Sequence, residues 1–373
     1  MGGCGADLDV FNRSAAHIAV LSNSSKYIDA LWASGSAVDE SGPWNMSALH
    51  IACSRGHSSI INTLVAAGAD TEKPDMWGRS AKDLCCTRYG EDGTGALGIS
   101  ACKNIRGQAL HRVSTRLRRV VMPTLGWKHF ASEHLPASHM VDVGGHLHVY
   151  CDIDVVNSSI SKSEFERDYV SLGKPVLISN LTGGWKAVRT WSRERVKNAE
   201  PTVNLSVSDV PYGNLYGRIT RQMSLRDFFE SVMDVSGESG APGGLPYIFD
   251  GLASSKLKTL LADTTTPEIL EDFVTRGVQF ALGPAASGSP SHFHGMAWNA
   301  LVHGGKFWWL TEPSSASFSS VPVSVTSPKG SAGCWQGEGD VLVVPESYGH
   351  SVINIAETVA LATEVESVPR QHG

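Results

Sequence analysis

The strongest constraint on this chain is an internal repeat in its first third. Ser14, His17, Ile18, Ala19, Leu31, Ala33, Gly35 and Trp44 recur 33 residues later as Ser47, His50, Ile51, Ala52, Leu64, Ala66, Gly68 and Trp77, and Ser80 extends the series. A period of roughly 20–50 residues marks a supersecondary unit that cannot bury its apolar face alone and must stack on its neighbours. Within one unit Leu49, Ile51, Ala52, Ile60, Ile61 and Leu64 fall at helical spacing, which predicts a pair of helices with a buried stripe. Gly68 is placed to end the second helix as a left-handed residue.

The stretch Ser47-Ala48-Leu49-His50-Ile51-Ala52 resembles the T-P-L-H-x-A opening of an ankyrin repeat, and Ala66-Ala67-Gly68-Ala69-Asp70 resembles its close. The resemblance covers residues 10–86 and implies an all-α ankyrin-repeat module. Its first unit is degenerate and its third, Arg79-Ser80-Ala81-Lys82-Asp83-Leu84, breaks off. Stacks of this kind need about three units. The module is therefore expected to lean on the following domain, either as a structural cap or as the surface that meets a protein partner.

At 373 residues the chain suggests two folding units. With 42% hydrophobic and 18% charged residues it has globular composition, and a net charge of -6 gives no global pull toward nucleic acid or an anionic membrane. Apolar runs such as Val341-Leu342-Val343-Val344 fall far short of the ~18 residues that a membrane span needs. The first residues lack the basic and apolar regions of a signal peptide. Seven cysteines, odd in number and without framework spacing, point to a reducing compartment, the cytosol or nucleus.

Residues 87–148 read as a linker. Gly, Cys and Ser dominate 87–110, and His111 to Met122 forms a short basic amphipathic stretch expected to be a helix with a solvated face. From about residue 150 short β-branched runs separated by Gly, Pro and Ser take over: Pro175–Ile178, Val203–Val207, Val321–Val325, Gly339–Pro345, Val352–Ile355 and Val359–Ala362. Amphipathic helices are expected near Lys162–Leu172 and Ser224–Met233. Many short strands with tight turns predict a closed barrel or sandwich with a few helices outside.

His292 and His294, two apart, share a face if they lie on a strand, and His350 follows a predicted strand that can return from the opposite side of a barrel mouth. A His-x-ligand pair plus a distant histidine can offer three ligands on one side of a metal and leave positions open for substrate. On spacing alone the set fits structural histidines as well as it fits a metal site.

The neighbouring residues go further. Ser287-Gly288-Ser289-Pro290-Ser291-His292-Phe293-His294, Ala297-Trp298-Asn299-Ala300-Leu301-Val302-His303-Gly304-Gly305-Lys306-Phe307-Trp308 and Val344-Pro345-Glu346-Ser347-Tyr348-Gly349-His350 resemble the core of Jumonji C proteins. Pro246-Tyr247-Ile248-Phe249-Asp250 and Gly173-Lys174-Pro175-Val176-Leu177-Ile178 resemble segments of their lysyl-hydroxylase-like subgroup. The resemblance spans residues 149–366 and implies a mainly β double-stranded β-helix, a cupin barrel with flanking helices. It implies Fe(II) held by His292, His294 and His350, and 2-oxoglutarate held at its far carboxylate by Lys306 with Ser289 and Tyr247, with Asn299 near the chelating end. It also implies a dioxygenase that hydroxylates a protein side chain, for which lysyl is one candidate.

One departure stands out. The family pattern is His-x-Asp or His-x-Glu, and this chain has His-x-His; the alternative register would replace the carboxylate by Met296, a poor iron(II) ligand. Two other readings follow: a catalytically weak barrel kept as a ligand-sensing or scaffold unit, and demethylation of histone or arginine N-methyl groups by the same chemistry.

Overall fold

The helical spacing of the repeat produces α1 (Ala15–Leu21), α2 (Ser25–Ala33), α3 (Ala48–Arg55) and α4 (Ser58–Ala66), followed by α5 over 81–86. The computed structural model describes residues 14–21, 23–33, 37–42, 45–75, 80–86, 117–128, 130, 132–143, 145–209, 220–235, 245–275, 277–321, 328 and 331–365. Trp44, Trp77 and Arg79, with the segment 87–116, lie outside these residues.

The recurring Ser and His have a physical reason. His17 Nε2 lies 2.9 Å from the Met46 carbonyl, which can only accept, so Nδ1 is left to accept from Ser14 Oγ at 2.7 Å. His50 Nδ1 repeats the contact with Ser47 Oγ at 2.8 Å, and Ser47 opens α3 as its N-cap. Gly68 takes φ +87 after α4, as the left-handed end of that helix requires. The core of this module includes Leu49, Ile60 and Leu64, and also Leu172 from the following domain, so the module does lean on its neighbour.

Sixteen strands follow among the described residues: β1 (Leu117–Arg119), β2 (Met140–Val143), β3 (His146–Tyr150), β4 (Asp154–Asn157), β5 (Val176–Ser179), β6 (Asn204–Ser208), β7 (Arg221–Ser224), β8 (Tyr247–Asp250), β9 (Gln279–Gly283), β10 (Gly288–His292), β11 (Ala297–His303), β12 (Lys306–Thr311), β13 (Ala332–Gln336), β14 (Val341–Val344), β15 (Gly349–Asn354) and β16 (Thr358–Glu364). A nine-stranded sheet runs β4-β5-β14-β11-β16-β9-β8-β6-β7 and a four-stranded sheet runs β10-β15-β12-β13. Together they form the cupin-type barrel.

Strand alternation assigns each side chain to a face. On β11, Trp298, Ala300 and Val302 join the large apolar cluster shared with the helices. Asn299 and Leu301 take the other face, where Leu301 meets Ala281, Ala360 and Phe249 inside the barrel. On β12, Phe307 and Trp309 carry the ring of His139, so Lys306 and Trp308 take the interior. Gly304, at φ +94, makes the turn between β11 and β12, and a Cβ there would lie 2.2 Å from the Glu357 carbonyl oxygen. That turn sets the register of Lys306.

Two expectations need correction. The basic stretch is not helical over 117–119: these residues form β1, paired with β3 in a small sheet of order β1-β3-β2. Arg118 is drawn there by the buried Asp340 carboxylate, 2.6 Å away, so its charge is neutralised rather than solvated. The cysteines are not all unpaired either. Disulfides join Cys53 to Cys85, tying α3 to α5, and Cys151 to Cys334, tying the end of β3 to β13, which withdraws the cysteine argument for the cytosol or nucleus. The predicted helices near 162 and 224 each form a short α-turn continued as a π-helical turn, Lys162–Phe165 with Glu166–Val170 and Leu225–Phe228 with Phe229–Met233. The predicted strand Val321–Val325 lies outside the described residues beyond Val321. No described helix is long and apolar enough to cross a membrane.

Candidate metal centre

The edge strand β10 delivers His292 and its continuation delivers His294, while the neighbouring β15 delivers His350 in register opposite His292. Their ligating nitrogens all lie within 4.8 Å of one another. Among the described residues this is the one group of three or more His, Cys, Asp and Glu side chains so arranged. Met296 is instead 3% exposed and belongs to the apolar cluster on the outer face.

Each ring is turned the same way. Nδ1 of His292 lies 2.8 Å from the Pro290 carbonyl, Nδ1 of His294 lies 2.8 Å from that of Gly295, and Nδ1 of His350 lies 3.0 Å from that of Tyr348. A carbonyl can only accept, so Nδ1 carries a proton in all three, and in the neutral form of each ring the lone pair is on Nε2. This is the outer-shell pattern by which ligating histidines are oriented. Burial holds His292 down at about 4, with the His294 charge adding to the effect, and burial drives His350 well below its ordinary value. Both are neutral at pH 7, the state that ligation needs.

The histidines open onto a cavity between the two sheets that is also lined by Lys306, Asn299, Ser289 and Tyr247. Lys306 is 5% exposed, and among the described residues it makes no ion pair; its ammonium lies 5.8 Å from the centre of the Trp308 ring. Burial alone lowers it to about 8. Asn299 Oδ1 is buried without a hydrogen-bond partner among the described residues. Ser289 turns its hydroxyl to His292 Nδ1 at 3.1 Å, nearer the histidines than the far-carboxylate role implies.

Asn354 and Trp308 also line the cavity and went unread in the sequence. Both could have been found by parity: Asn354 lies four residues after His350 on β15, and Trp308 two after Lys306 on β12. Trp308 Nε1 donates to Gln336 at 2.8 Å, which fixes its ring against the cavity.

These residues fit a divalent metal with a dianionic ligand. Three imidazoles supply borderline nitrogen donors suited to Fe(II), and a buried ammonium with no counterion among the described residues needs an anion close by.

Comparison with known proteins agrees with this architecture. The cupin-like domain family matches residues 162–357, and ankyrin repeats (3 copies) match residues 1–75. The bifunctional arginine demethylase and lysyl-hydroxylase psr-1 of Caenorhabditis briggsae is 27% identical over 257 residues, covering 58% of this chain and 62% of that protein. The arginine-specific demethylase JMJ22 of Arabidopsis thaliana is 26% identical, covering 56% of this chain and 45% of its own. JmjC domain-containing protein 8 of Mus musculus is 23% identical, covering 55% and 78%. The chain thus spans less than two thirds of the length of the first two relatives. With the family matched over more than half of its residues, this chain belongs to the cupin-like proteins and carries a JmjC domain behind N-terminal ankyrin repeats.

Proposed function

We propose that the chain is an Fe(II)- and 2-oxoglutarate-dependent dioxygenase that hydroxylates a protein side chain. The observation that carries this reading is Lys306, a buried ammonium without an ion pair among the described residues, on the wall of the cavity onto which the three histidines open. A barrel kept only as a scaffold has no use for an uncompensated internal cation, which costs stability.

Fe(II) with 2-oxoglutarate would, when bound, activate O2, one oxygen atom of which goes to a substrate C–H bond and the other to the succinate formed as 2-oxoglutarate loses CO2. His292, His294 and His350 hold the metal through Nε2. Lys306 anchors the far carboxylate as a charge-assisted pair, with Tyr247 beside it in the cavity. Asn299, on the inner face of β11, offers its amide near the chelating end. Trp308, Val344 and Val352 give the cavity an apolar wall. Three neutral ligands leave the metal's +2 charge uncompensated until the dianion arrives, so metal and cosubstrate reinforce each other. The protein substrate is brought by the ankyrin surface.

Two relatives are named as demethylases, and the histidine in place of a carboxylate favours a scaffold. One experiment separates the three readings: incubation of the protein with Fe(II), 2-oxoglutarate and a pool of cellular peptides. Succinate together with peptides heavier by one oxygen is expected. Formaldehyde release would replace hydroxylation by demethylation, and no succinate under any condition would leave the scaffold.

A further inference from the structure

Helix α3 ends at Arg55, whose side chain leaves the ankyrin module and reaches the barrel. One terminal nitrogen donates to the Glu346 carbonyl at 2.8 Å, and the guanidinium lies 5.1 Å over the ring of Tyr348. Gly173 makes room for it: a Cβ at that position would lie 2.9 Å from Arg55 Nε. Glu346, Ser347 and Tyr348 form the turn between β14 and β15 that delivers His350.

That turn touches two of the three histidines. Ser347 N–H donates to the His294 carbonyl at 2.8 Å, and the Tyr348 carbonyl accepts from His350 Nδ1 at 3.0 Å. Between them Ser347 adopts φ +62, a conformation that a side-chain-bearing residue keeps only when its surroundings over-determine it. Arg55 grips the residues on both sides of that strained position. We propose that Arg55 is a positioning residue for the metal centre, so that the ankyrin module completes the site instead of merely adjoining it; this rests on reading the three histidines as metal ligands. The task suits arginine in particular, because a planar cation can stack on an aromatic ring while donating in its own plane.

The test uses the full chain and Co(II) as the probe, read by its visible absorption. Loss of an outer-shell partner costs about 10–100-fold in metal affinity, and Arg55 acts one layer further out, so Arg55→Met, which fills the same groove but donates nothing, is expected to bind Co(II) about tenfold more weakly. Its Co(II) spectrum should shift and the Ser347 amide should exchange faster. Arg55→Lys, which restores a cationic donor, should recover part of the affinity. A purely structural residue would lower the melting temperature in both variants and leave the spectrum alone; a folded Arg55→Met with parental affinity and spectrum overturns the proposal. Should Arg55→Met fail to fold, the parent decides. Coupling is reciprocal, so Co(II) must slow amide exchange in α3, and unchanged exchange on loading overturns the proposal. A parent that takes up no Co(II) overturns the metal reading itself, and this inference with it.

Discussion

The two parts of the molecule use histidine in opposite ways. In the ankyrin module His17 spends both ring nitrogens on the protein: Nε2 donates to Met46 and Nδ1 accepts from Ser14. In the barrel His292, His294 and His350 each donate from Nδ1 to a carbonyl within two residues, and Nε2 has no protein partner among the described residues. The tautomer is reversed, and the difference separates a histidine that holds structure from one held ready for a ligand. A second contrast is in self-sufficiency. The barrel encloses its own interior between two sheets, whereas the ankyrin core borrows Leu172 from the barrel domain.

The largest test of that contrast removes the barrel altogether. Residues 1–100 alone should show little helix and no cooperative melt by circular dichroism, since so few repeats bury too little surface. A sharp cooperative transition would break the dependence. Next in size is Lys306→Ala, which should abolish measurable 2-oxoglutarate binding, because a carboxylate stranded in a dry pocket costs about 3–5 kcal/mol. Calorimetric affinity within a few-fold of the parent would show that Lys306 does not anchor the cosubstrate. The two kinds of histidine can then be separated directly. His17→Ala leaves the Met46 carbonyl unsatisfied and should destabilise the chain by about 1–3 kcal/mol with Co(II) affinity unchanged. His350→Ala should do the reverse and weaken metal binding at least 10–100-fold.

How far all this could be read from the sequence depended on the range of the interaction. The repeat, with its Ser-x-x-His capping, is local, so its period was visible. Strands β5, β6, β14 and β16 announced themselves as β-branched runs, and the His292–His294 spacing together with the quoted motifs led to the cavity. What stayed hidden depends on partners distant in the chain. Arg118 looked like a solvated helix residue because its partner Asp340 lies 222 positions away. Cys151 and Cys334 are separated by 183 residues, and no spacing rule pairs them. Asn354 falls between the two cases: its shared face with His350 on β15 is local, and only its place opposite Lys306 depends on the register of β15 against β12.

The pH dependence is the smallest and sharpest effect. Burial sets Lys306 at about 8, and only its ammonium pairs with the dianion. Affinity for 2-oxoglutarate should therefore be level below pH 8 and fall about tenfold per unit above it. A profile flat to pH 10 would remove Lys306 from the pair. His292 titrates at about 4 when folded, against 6.5 ordinarily, so between those values the unfolded chain binds more protons. The metal-free protein should then lose stability as pH falls from 6.5 toward 4. A melting temperature constant over that interval would place His292 in solvent.

The central claim is that three imidazoles, with no carboxylate, make the metal centre. The most direct measurement is an iron(II) titration of the parent, His294→Ala, His294→Asp and Met296→Ala under nitrogen. The parent should take up one equivalent, His294→Ala should bind at least 10–100-fold more weakly, and His294→Asp should keep the metal with a proton dependence lower by about one. Met296→Ala should cost about 2–5 kcal/mol of stability as a cavity in the core while binding iron as the parent does. The opposite result, with His294→Ala binding like the parent and Met296→Ala failing to bind, would show that the third ligand has been wrongly assigned.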